Sequence, residues 1–416
     1  MYGNPCVIVH AGAGYHSKTK ETAYKELCGD ACRVAVSVLS DRSKGAVCAV
    51  SAAVAHLEDS ILTNAGFGSN LTFDGSVECD AGIMCGSSLK FAGVGAISRI
   101  RNPIFAAELL LQEQLHGTYT TLGRVQPCIL FGSGARRWVL ARDPSRFSEV
   151  DLASDKARAD WIKYKQWFSA AEAKKLVENE TVQCKLPLKQ RRLAEGQSRL
   201  DTVGAVCVDK LGNVAAAVSS GGVALKHEGR IGQACMYGCG CWADQDLSGS
   251  AVGVVTSGTG EQLIRTQLAQ RTAEAVLSSS DDSLPDILRT VITNNFLNSR
   301  LLAQDEHRYA GVAGVYSSSS GSFRNIEIFF GHTTRSMSVG YFIPGTMSSP
   351  MLKRAAREMS GEPIQDASGE DSQSSNVTLR KRRRLANASQ VSVNFHKFLC
   401  LFVAHIYQLS YTLIYF

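Results

Sequence analysis

The chain has 416 residues, of which 44% are hydrophobic and 20% are charged, and its formal net charge is +6. This length suits two or three domains, or one large domain with attachments, and the apolar content is ordinary for a soluble protein. The mild positive charge gathers in two short stretches, 185–192 and 380–384, instead of spreading over folded faces. We therefore expect no direct nucleic-acid binding, and we interpret the stretches as import signals or as solvated charge.

The 13 cysteines are an odd number, and their spacing forms no disulfide framework. The first residues run directly into an apolar strand without a signal peptide, so we expect free thiols in a reducing compartment. Cys235, Cys239 and Cys241 lie near His227, but this spacing matches no common zinc pattern. We interpret them as small buried thiols and expect neither a metal nor a cofactor.

Apolar segments alternate with glycine loops over the first 150 residues. The loops are His10-Ala-Gly-Ala-Gly14 and 63–70, where the backbone must bend or approach something closely. Asn102-Pro103 is a good helix start, with an N-cap followed by proline. The periodicity predicts a strand at 7–9, helices at 21–40 and 46–58, a strand at 91–97, a helix at 104–114, a strand at 125–131 and a short helix at 135–141.

Residues 155–200 break this pattern. They are polar, basic and poorly periodic, and we interpret them as a flexible linker with some helix at 161–177. Thr202 follows at once and opens an alternating apolar run, which predicts a strand. If the chain cuts itself at Asp201–Thr202, the new α-amine can take the proton from the hydroxyl of the same residue. Alternatively, Thr202 is an ordinary strand threonine, and the dipeptide alone does not decide between the two.

The second half of the chain contains another glycine loop, Ser257-Gly-Thr-Gly260. It has no lysine in the P-loop position, and Glu261 at the start of the next helix would repel phosphate. We interpret the loop as a set of donors directed at an oxyanion, which acyl transfer requires. The surrounding pattern predicts strands at 202–208 and 214–218 around a turn at 209–213, a strand at 251–256, a helix at 261–277 and strands at 310–316, 323–330 and 336–342.

The tail, 346–416, is rich in serine, glutamate and glutamine at its start, which predicts disorder. Its end, 395–416, is apolar and close to membrane-spanning length, although polar residues such as His405 and Gln408 interrupt it. Two interpretations stay open. The segment is either a C-terminal anchor with 380–384 on the cytosolic side, or an atypical C-terminus without a structural role.

Six ordered motifs between 7 and 342 resemble the N-terminal-nucleophile asparaginase family. The resemblance implies a four-layer αββα sandwich of the Ntn-hydrolase type, of class α/β or α+β. It also implies an α subunit, 1–201, and a β subunit core, 202–345, which associate as a dimer of cleaved αβ pairs. The motifs are His10-Ala-Gly-Ala-Gly14, Thr63-Asn-Ala-Gly66, Asp201-Thr-Val-Gly-Ala-Val206, Gly212-Asn-Val-Ala-Ala-Ala-Val-Ser-Ser-Gly-Gly222, Gly229-Arg-Ile-Gly232 and Ser257-Gly-Thr-Gly-Glu261.

The resemblance also implies roles for single residues. Thr202 is the expected nucleophile of both self-cleavage and turnover, and Ser220 matches a hydroxyl that contacts the nucleophile. Ser257 and Gly258 match the oxyanion-hole positions. Arg230 matches the arginine that binds the substrate carboxylate, a role that suits a planar and always charged guanidinium.

Gln233 departs from the pattern of the amino-acid-hydrolysing members, which have an aspartate there to bind the free α-ammonium of the substrate. A neutral amide gives up that charge pairing but can still hydrogen-bond to a peptide N–H. In this respect the chain resembles the threonine aspartases, members that cleave proteins after aspartate. In them, residues matching Lys20 and Asn64 help Arg230 to bind the substrate aspartate. Lys18 is close enough to leave the choice of lysine open.

Gly12 and Gly260, in two of the glycine loops, complete the expected substrate-binding set. Asp201 gives the chain its own cleavable aspartate. We therefore expect a self-cleaving threonine endopeptidase of the nucleus and cytoplasm, with proteins containing an internal aspartate as substrates and an import receptor as a further partner. Two alternatives stay open: an asparaginase or isoaspartyl dipeptidase of the same family, and a non-catalytic protein that binds nuclear proteins through its basic segments.

Overall fold

The computed structural model describes residues 5–117, 121–178, 201–246, 248–279, 282–320, 323–343, 351–354, 400–405 and 411–415. Within these ranges, two β-sheets face each other and helices cover both outer faces. The order of layers is α–β–β–α, which confirms the predicted α/β sandwich. The basic stretches 185–192 and 380–384 and most of the tail lie outside the described residues, so their assignments stay predictions.

The strands of the described ranges form one larger and one smaller sheet. They are β1 Cys6–Gly14, β2 Cys79–Cys85, β3 Lys90–Ile97, β4 Ile129–Phe131, β5 Val203–Val208, β6 Val214–Ser220, β7 Cys241–Gln245, β8 Ala251–Gly258, β9 Ala310–Ser320, β10 Phe323–His332, β11 Ser336–Phe342, β12 Met351–Arg354, β13 Cys400–His405 and β14 Tyr411–Tyr415. The larger sheet has the order β12-β11-β1-β5-β6-β2-β3-β4, and the smaller has β14-β13-β10-β9-β8-β7. The strand that follows Thr202 is therefore central in the larger sheet.

The central strands β1, β5 and β6 of the larger sheet are buried along their whole length because both of their faces are covered. Along β1, Val7 and Val9 pack in the cluster shared with the outer helices, and Cys6 and Ile8 pack in the cluster between the sheets. Successive side chains of a strand point to opposite faces, so a strand covered on both sides is a nearly continuous apolar run.

The helices are α1 Glu21–Val38, α2 Ala46–Glu58, α3 Pro103–Leu115, α4 Gly132–Arg142, α5 Asp155–Glu178, α6 Gly260–Thr266, α7 Leu268–Ser278 and α8 Leu284–Thr290. The first three cover the larger sheet, and α7 covers the smaller one. The single helix predicted at 261–277 is two helices, because Gln267 adopts a left-handed conformation with φ of 47°. Arg271 Nε donates to the carbonyl of Thr266 at 3.0 Å and so stabilises the break.

The helix predicted at 161–177 in the first part of the linker is confirmed, and it extends over 24 residues as α5. Trp161 anchors this helix by donating from Nε1 to the carbonyl of Thr72 at 3.0 Å and by packing against Gly75. The strand predicted at 125–131 is shorter in the structure, where it is β4. The strands β2 and β7 and the helix α8 were not predicted from the sequence patterns. Periodicity misses β2 because the run contains Asp80 among small residues, so it lacks an apolar alternation.

Three short parts of the tail predicted to be disordered are strands, namely β12, β13 and β14. They add to the edges of the two sheets, with β12 beside β11 and β13 beside β10. In the part of the chain that the structure describes, no helix combines the length and the apolar character needed to cross a membrane.

Glu58, the last residue of α2, is a carboxyl buried between the helix layer and the larger sheet. Its Oε1 accepts a hydrogen bond from the backbone N–H of Ile104 at 3.1 Å. Burial raises the pKa of Glu58 to about 8, while hydrogen bonds from Ser219, Ile104 and Asn102 act in the opposite direction. The carboxyl is therefore protonated at neutral pH.

We expect the free energy of unfolding to fall less between about pH 5 and about pH 8 in Glu58→Gln than in wild type. The folded chain keeps a proton that the unfolded chain releases above pH 4.5, so this group lowers the free energy of unfolding as pH rises from 4.5 to about 8. Urea denaturation at about pH 5 and about pH 8 measures the difference. The exposed Glu26→Gln should keep the wild-type difference, and a Glu58→Gln protein that also keeps it would contradict a protonated Glu58.

Candidate active site

Thr202 lies directly before β5, in the middle of the larger sheet. Val203 pairs with Ser219 of β6, which sets Thr202 beside Ser220. Ser220 in turn pairs with Asp80 of β2. Side chains of directly opposite residues lie on the same face of a sheet, so Asp80, Ser220 and Thr202 form a row across three strands.

The hydroxyl of Thr202 is buried and held by two side chains. Oγ1 donates to Ser220 Oγ at 3.2 Å and accepts from Gln233 Nε2 at 3.0 Å. Ser220 Oγ also accepts from the backbone N–H of Gly222 at 3.1 Å. The proton of the Thr202 hydroxyl is therefore directed at Ser220 while the bond between Asp201 and Thr202 is still intact.

A cleft opens beside this hydroxyl and gathers most of the predicted site residues. Its lining, all within the described ranges, contains one guanidinium and no carboxylate. The lining residues are Asn64, Thr202, Ser220, Gly222, Val223, Arg230, Gln233, Gly258 and Gly260. The cleft is therefore suited to a group of negative charge beside the hydroxyl.

Arg230 is the cation of the cleft, and its charge is already paired. Its Nε and Nη2 donate to the two carboxylate oxygens of Glu261, each at 2.8 Å. The Glu261 side chain is 54% exposed and that of Arg230 is 15% exposed. A carboxylate that binds Arg230 must therefore compete with Glu261, a pairing that no local pattern indicated.

Asn64 fixes the wall of the cleft through its backbone contacts. Its Nδ2 donates to the carbonyl of Gly222 at 2.7 Å, and its Oδ1 accepts from the N–H of Asn70 at 2.9 Å. The carbonyl of Asn64 accepts from the N–H of Gly221 at 2.7 Å. The glycine loop at 63–70 is thereby tied to the end of β6, next to Ser220.

Ser257 and Lys20 do not line the cleft. Ser257 Oγ accepts from the backbone N–H of Ala13 at 2.9 Å, so this hydroxyl joins β8 to β1. Gly258, its neighbour in the predicted oxyanion pair, does line the cleft and has φ of 148°. Lys20 is partly exposed in the short turn before α1. The oxyanion role of Ser257 and the substrate role of Lys20 stay predictions.

Gly12 lies against Asp201 and is not among the residues that line the cleft. It has φ of 108°, and a Cβ there would lie 2.5 Å from the Cα of Asp201, so a side chain does not fit. Asp201 is 1% exposed, and its Oδ1 lies 3.7 Å from Nε2 of His16. Gly12 thus contacts the residue at which self-cleavage is expected, and it does not line the substrate cleft.

His10 approaches the backbone of Thr202 from β1. It pairs with Gly204, where a Cβ would lie 2.5 Å from the imidazole Nε2, so this glycine leaves room for the ring. Its Nδ1 accepts from the N–H of Gly12 at 3.4 Å. Burial lowers the pKa of His10 to about 3, with a hydrogen bond to the Thr202 backbone acting in the opposite direction. His10 is therefore neutral at physiological pH.

Asp80 and Lys226 are buried ionisable residues that lie near the cleft and belong to none of the sequence motifs. Asp80 accepts from the N–H groups of Gly232 and Ala96, both at 2.8 Å, and Lys226 Nζ donates to the carbonyl of Glu78 at 2.8 Å. Burial raises the pKa of Asp80, while Lys226 and the two hydrogen bonds act in the opposite direction. A charged residue between small apolar residues, Cys79 and Ala81, is the sequence signal that could have found Asp80, whereas Lys226 between Leu225 and His227 has no such signal.

Comparison with known proteins agrees with this geometry. The family model described as "Asparaginase_2: Asparaginase" matches residues 3–301, which include both sides of the Asp201–Thr202 junction. The chain is 31% identical to an isoaspartyl peptidase of Salmonella typhimurium over 291 residues, which are 69% of this chain and 83% of that protein. It is 33% identical to an isoaspartyl peptidase/L-asparaginase of Homo sapiens over 270 residues, which are 65% of this chain and 76% of that protein. The chain therefore belongs to the asparaginase family of N-terminal-nucleophile hydrolases.

Proposed function

We propose that this hydrolase is a threonine endopeptidase that cuts itself between Asp201 and Thr202 and then cleaves other proteins after aspartate. The observation that carries the proposal is the charge of the cleft, whose described lining contains Arg230 and no carboxylate. A substrate carboxylate can pair with Arg230 in competition with Glu261, whereas the lining itself offers a free α-ammonium no carboxylate. An aspartate inside a polypeptide has the carboxylate without the ammonium.

Gln233 supports the same substrate class. Its amide is 2% exposed and donates to Thr202 Oγ1, so it lies where the substrate backbone must approach the nucleophile. Its carbonyl oxygen can accept from a peptide N–H, but a neutral amide offers no charge to a free amine. This residue therefore favours a peptide over a free amino acid.

Self-cleavage follows from the position of the hydroxyl. Thr202 Oγ1 attacks the carbonyl carbon of Asp201, and its proton passes through Ser220 towards the departing backbone nitrogen. The C–N bond breaks, which leaves an ester and a free α-amine on Thr202. Water then hydrolyses the ester, releases the new C-terminal carboxylate of Asp201 and restores the hydroxyl.

Turnover of other proteins repeats this chemistry, with the α-amine of Thr202 as the base in place of the Ser220 hydroxyl. The α-amine of Thr202 takes the proton of Oγ1 as this oxygen attacks the carbonyl after a substrate aspartate, and it returns the proton to the leaving nitrogen. Donors at the predicted oxyanion position, Ser257 and Gly258, stabilise the tetrahedral intermediate. Water completes the cycle by hydrolysing the acyl ester.

A second candidate, hydrolysis of asparagine or of β-aspartyl dipeptides, is favoured by the names of the relatives, which are isoaspartyl peptidases and asparaginases. Such substrates carry a free α-ammonium. The carboxylate of Glu261 does not line the cleft but adjoins it through Arg230, whose Nε and Nη2 both donate to it. Binding of an ammonium there would compete with that ion pair.

The substrate is tested with a peptide of residues 196–207, whose one aspartate is Asp201. We expect the self-cleaved protein to cut it after Asp201. The matched peptides with asparagine or glutamate at that position should be cut at least about a hundredfold more slowly. Mass spectrometry identifies the products. Ammonia release from asparagine, or dipeptide cleavage, without any cut in the peptide would favour the second candidate.

Processing is checked in the same preparations on a denaturing gel. We expect wild type to give two fragments, with Thr202 at the amino end of the second, and Thr202→Ala to stay as one inactive chain. The exposed Thr290→Ala is the matched control and should be processed like wild type. A folded wild-type chain that stays whole would contradict the proposed function.

We expect Glu261→Gln to lower the KM for the junction peptide by up to about fivefold without changing kcat, because an exposed ion pair contributes about 0.2–1 kcal/mol. The change removes the carboxylate that competes for Arg230. Steady-state kinetics of the processed proteins measure it. The exposed Glu274→Gln on α7 serves as control, and a higher KM in Glu261→Gln would mean that Glu261 itself binds the substrate.

A further inference from the structure

His16 contacts the cleavable residue of the intact chain and has no role in the chemistry described above. Both partners are buried, each at 1% exposure. Nε2 of His16 lies 3.7 Å from Oδ1 of Asp201, which is ion-pair distance but longer than a direct hydrogen bond. A buried carboxylate needs compensation of its charge, and this imidazole is placed to supply it.

The His16 ring is fixed by contacts with other elements. Its Nδ1 lies 2.8 Å from Ser336 Oγ, and its backbone N–H donates to the same oxygen at 2.9 Å. The ring of Tyr24 meets it edge-on, with 4.6 Å between the centroids. Because Ser336 begins β11 and Tyr24 belongs to α1, the imidazole is held by two elements of the fold.

The surroundings of the ring identify Nε2 as a hydrogen-bond donor. This nitrogen faces the carbonyl of Ala11 at 3.3 Å and the carboxylate of Asp201 at 3.7 Å. Both are acceptors, so a bare nitrogen would meet only oxygen lone pairs. A hydrogen on Nε2 is donated to the carbonyl of Ala11, and the carboxylate of Asp201 lies beside it at ion-pair distance.

Asp201 does not use the cation predicted to bind substrate aspartates. Arg230 is paired with Glu261, and the lining of its cleft includes neither His16 nor Asp201. The Asp201 side chain lies instead between His16 and Gly12, where a Cβ on the glycine would lie 2.7 Å from Oδ1. The intact chain thus holds its own aspartate with different residues from those that line the cleft.

We infer that His16 is a positioning residue for self-cleavage. It holds the Asp201 side chain, and with it the scissile carbonyl, in place until the bond is cut, and it contributes little to the turnover of other proteins. The inference rests on the proposed self-cleavage at Asp201–Thr202. Fixing an electrophile beside its nucleophile accelerates an intramolecular step, because less freedom is lost in reaching the transition state.

The test compares two rates in the full-length chain. Self-cleavage is followed on denaturing gels after cell-free synthesis, and turnover of the 196–207 peptide is measured per molecule of cleaved protein. We expect His16→Leu to slow self-cleavage by about tenfold or more, and His16→Gln, which keeps an N–H donor, to slow it less. Turnover per cleaved molecule should stay within about twofold of wild type in both variants. The exposed His116→Leu is the matched control.

Ser336→Ala provides an independent variant, because it leaves the imidazole in place but removes the partner of Nδ1. We expect an intermediate slowing of self-cleavage, and thermal melting identifies any variant that does not fold. If the folded His16 and Ser336 variants are cleaved at the wild-type rate, the inference is overturned. It is also overturned if turnover falls as much as self-cleavage does. A wild-type chain that is not cut would instead contradict the proposed function.

Discussion

Thr202 Oγ1 is held between a hydrogen-bond acceptor, Ser220, and a donor, Gln233, before the chain has been cut. This contact depends on the centre of the larger sheet, because β5 has β1 on one side and β6 on the other. A strand covered by a helix layer and a second sheet has little freedom, so the nucleophile is placed by the core itself.

Charges around the hydroxyl are separated into two regions. Arg230 lines the cleft together with Thr202, whereas His16 lies 3.7 Å from Asp201, which does not line that cleft. Behind the cleft, Asp80 and Lys226 are buried and satisfied by backbone groups. The residues that contact Asp201 therefore differ from those that line the cleft beside Thr202. Removal of a buried partner would be costly, since it leaves the other group uncompensated.

Much of the fold could be predicted because its elements have strong local patterns. The bounds of α2 and β11 agree with the predicted 46–58 and 336–342, and the glycine motifs led to Thr202, Ser220, Arg230 and Gln233, which meet in one cleft. Contacts between residues distant in sequence could not be predicted in this way. The binding of Ser257 to Ala13 spans 244 positions, and no local signal reports it. The ion pair between Arg230 and Glu261 depends in the same way on how α6 meets the loop between β6 and β7.

Two local features of the backbone, a helix break and a strand, could not be predicted from periodicity either. Gln267 interrupts a helical run without glycine or proline, and Asp80 occupies a strand that has no apolar alternation. Asp80 is the cross-strand partner of Ser220, and Gln267 ends the helix that carries Glu261. At both places tertiary contacts override the preferences of single residues.

The central claim is that the α-amine created by self-cleavage is the base that activates Thr202. Acetylation near neutral pH favours an α-amine, with a pKa of about 8, over lysine side chains, with a pKa of about 10.4. The fraction of acetylated Thr202 is measured by mass spectrometry of the amino-terminal peptide, alongside turnover of the 196–207 peptide. We expect activity to fall in proportion to acetylation of that one amine. Full turnover by a protein whose Thr202 is completely acetylated would contradict the account.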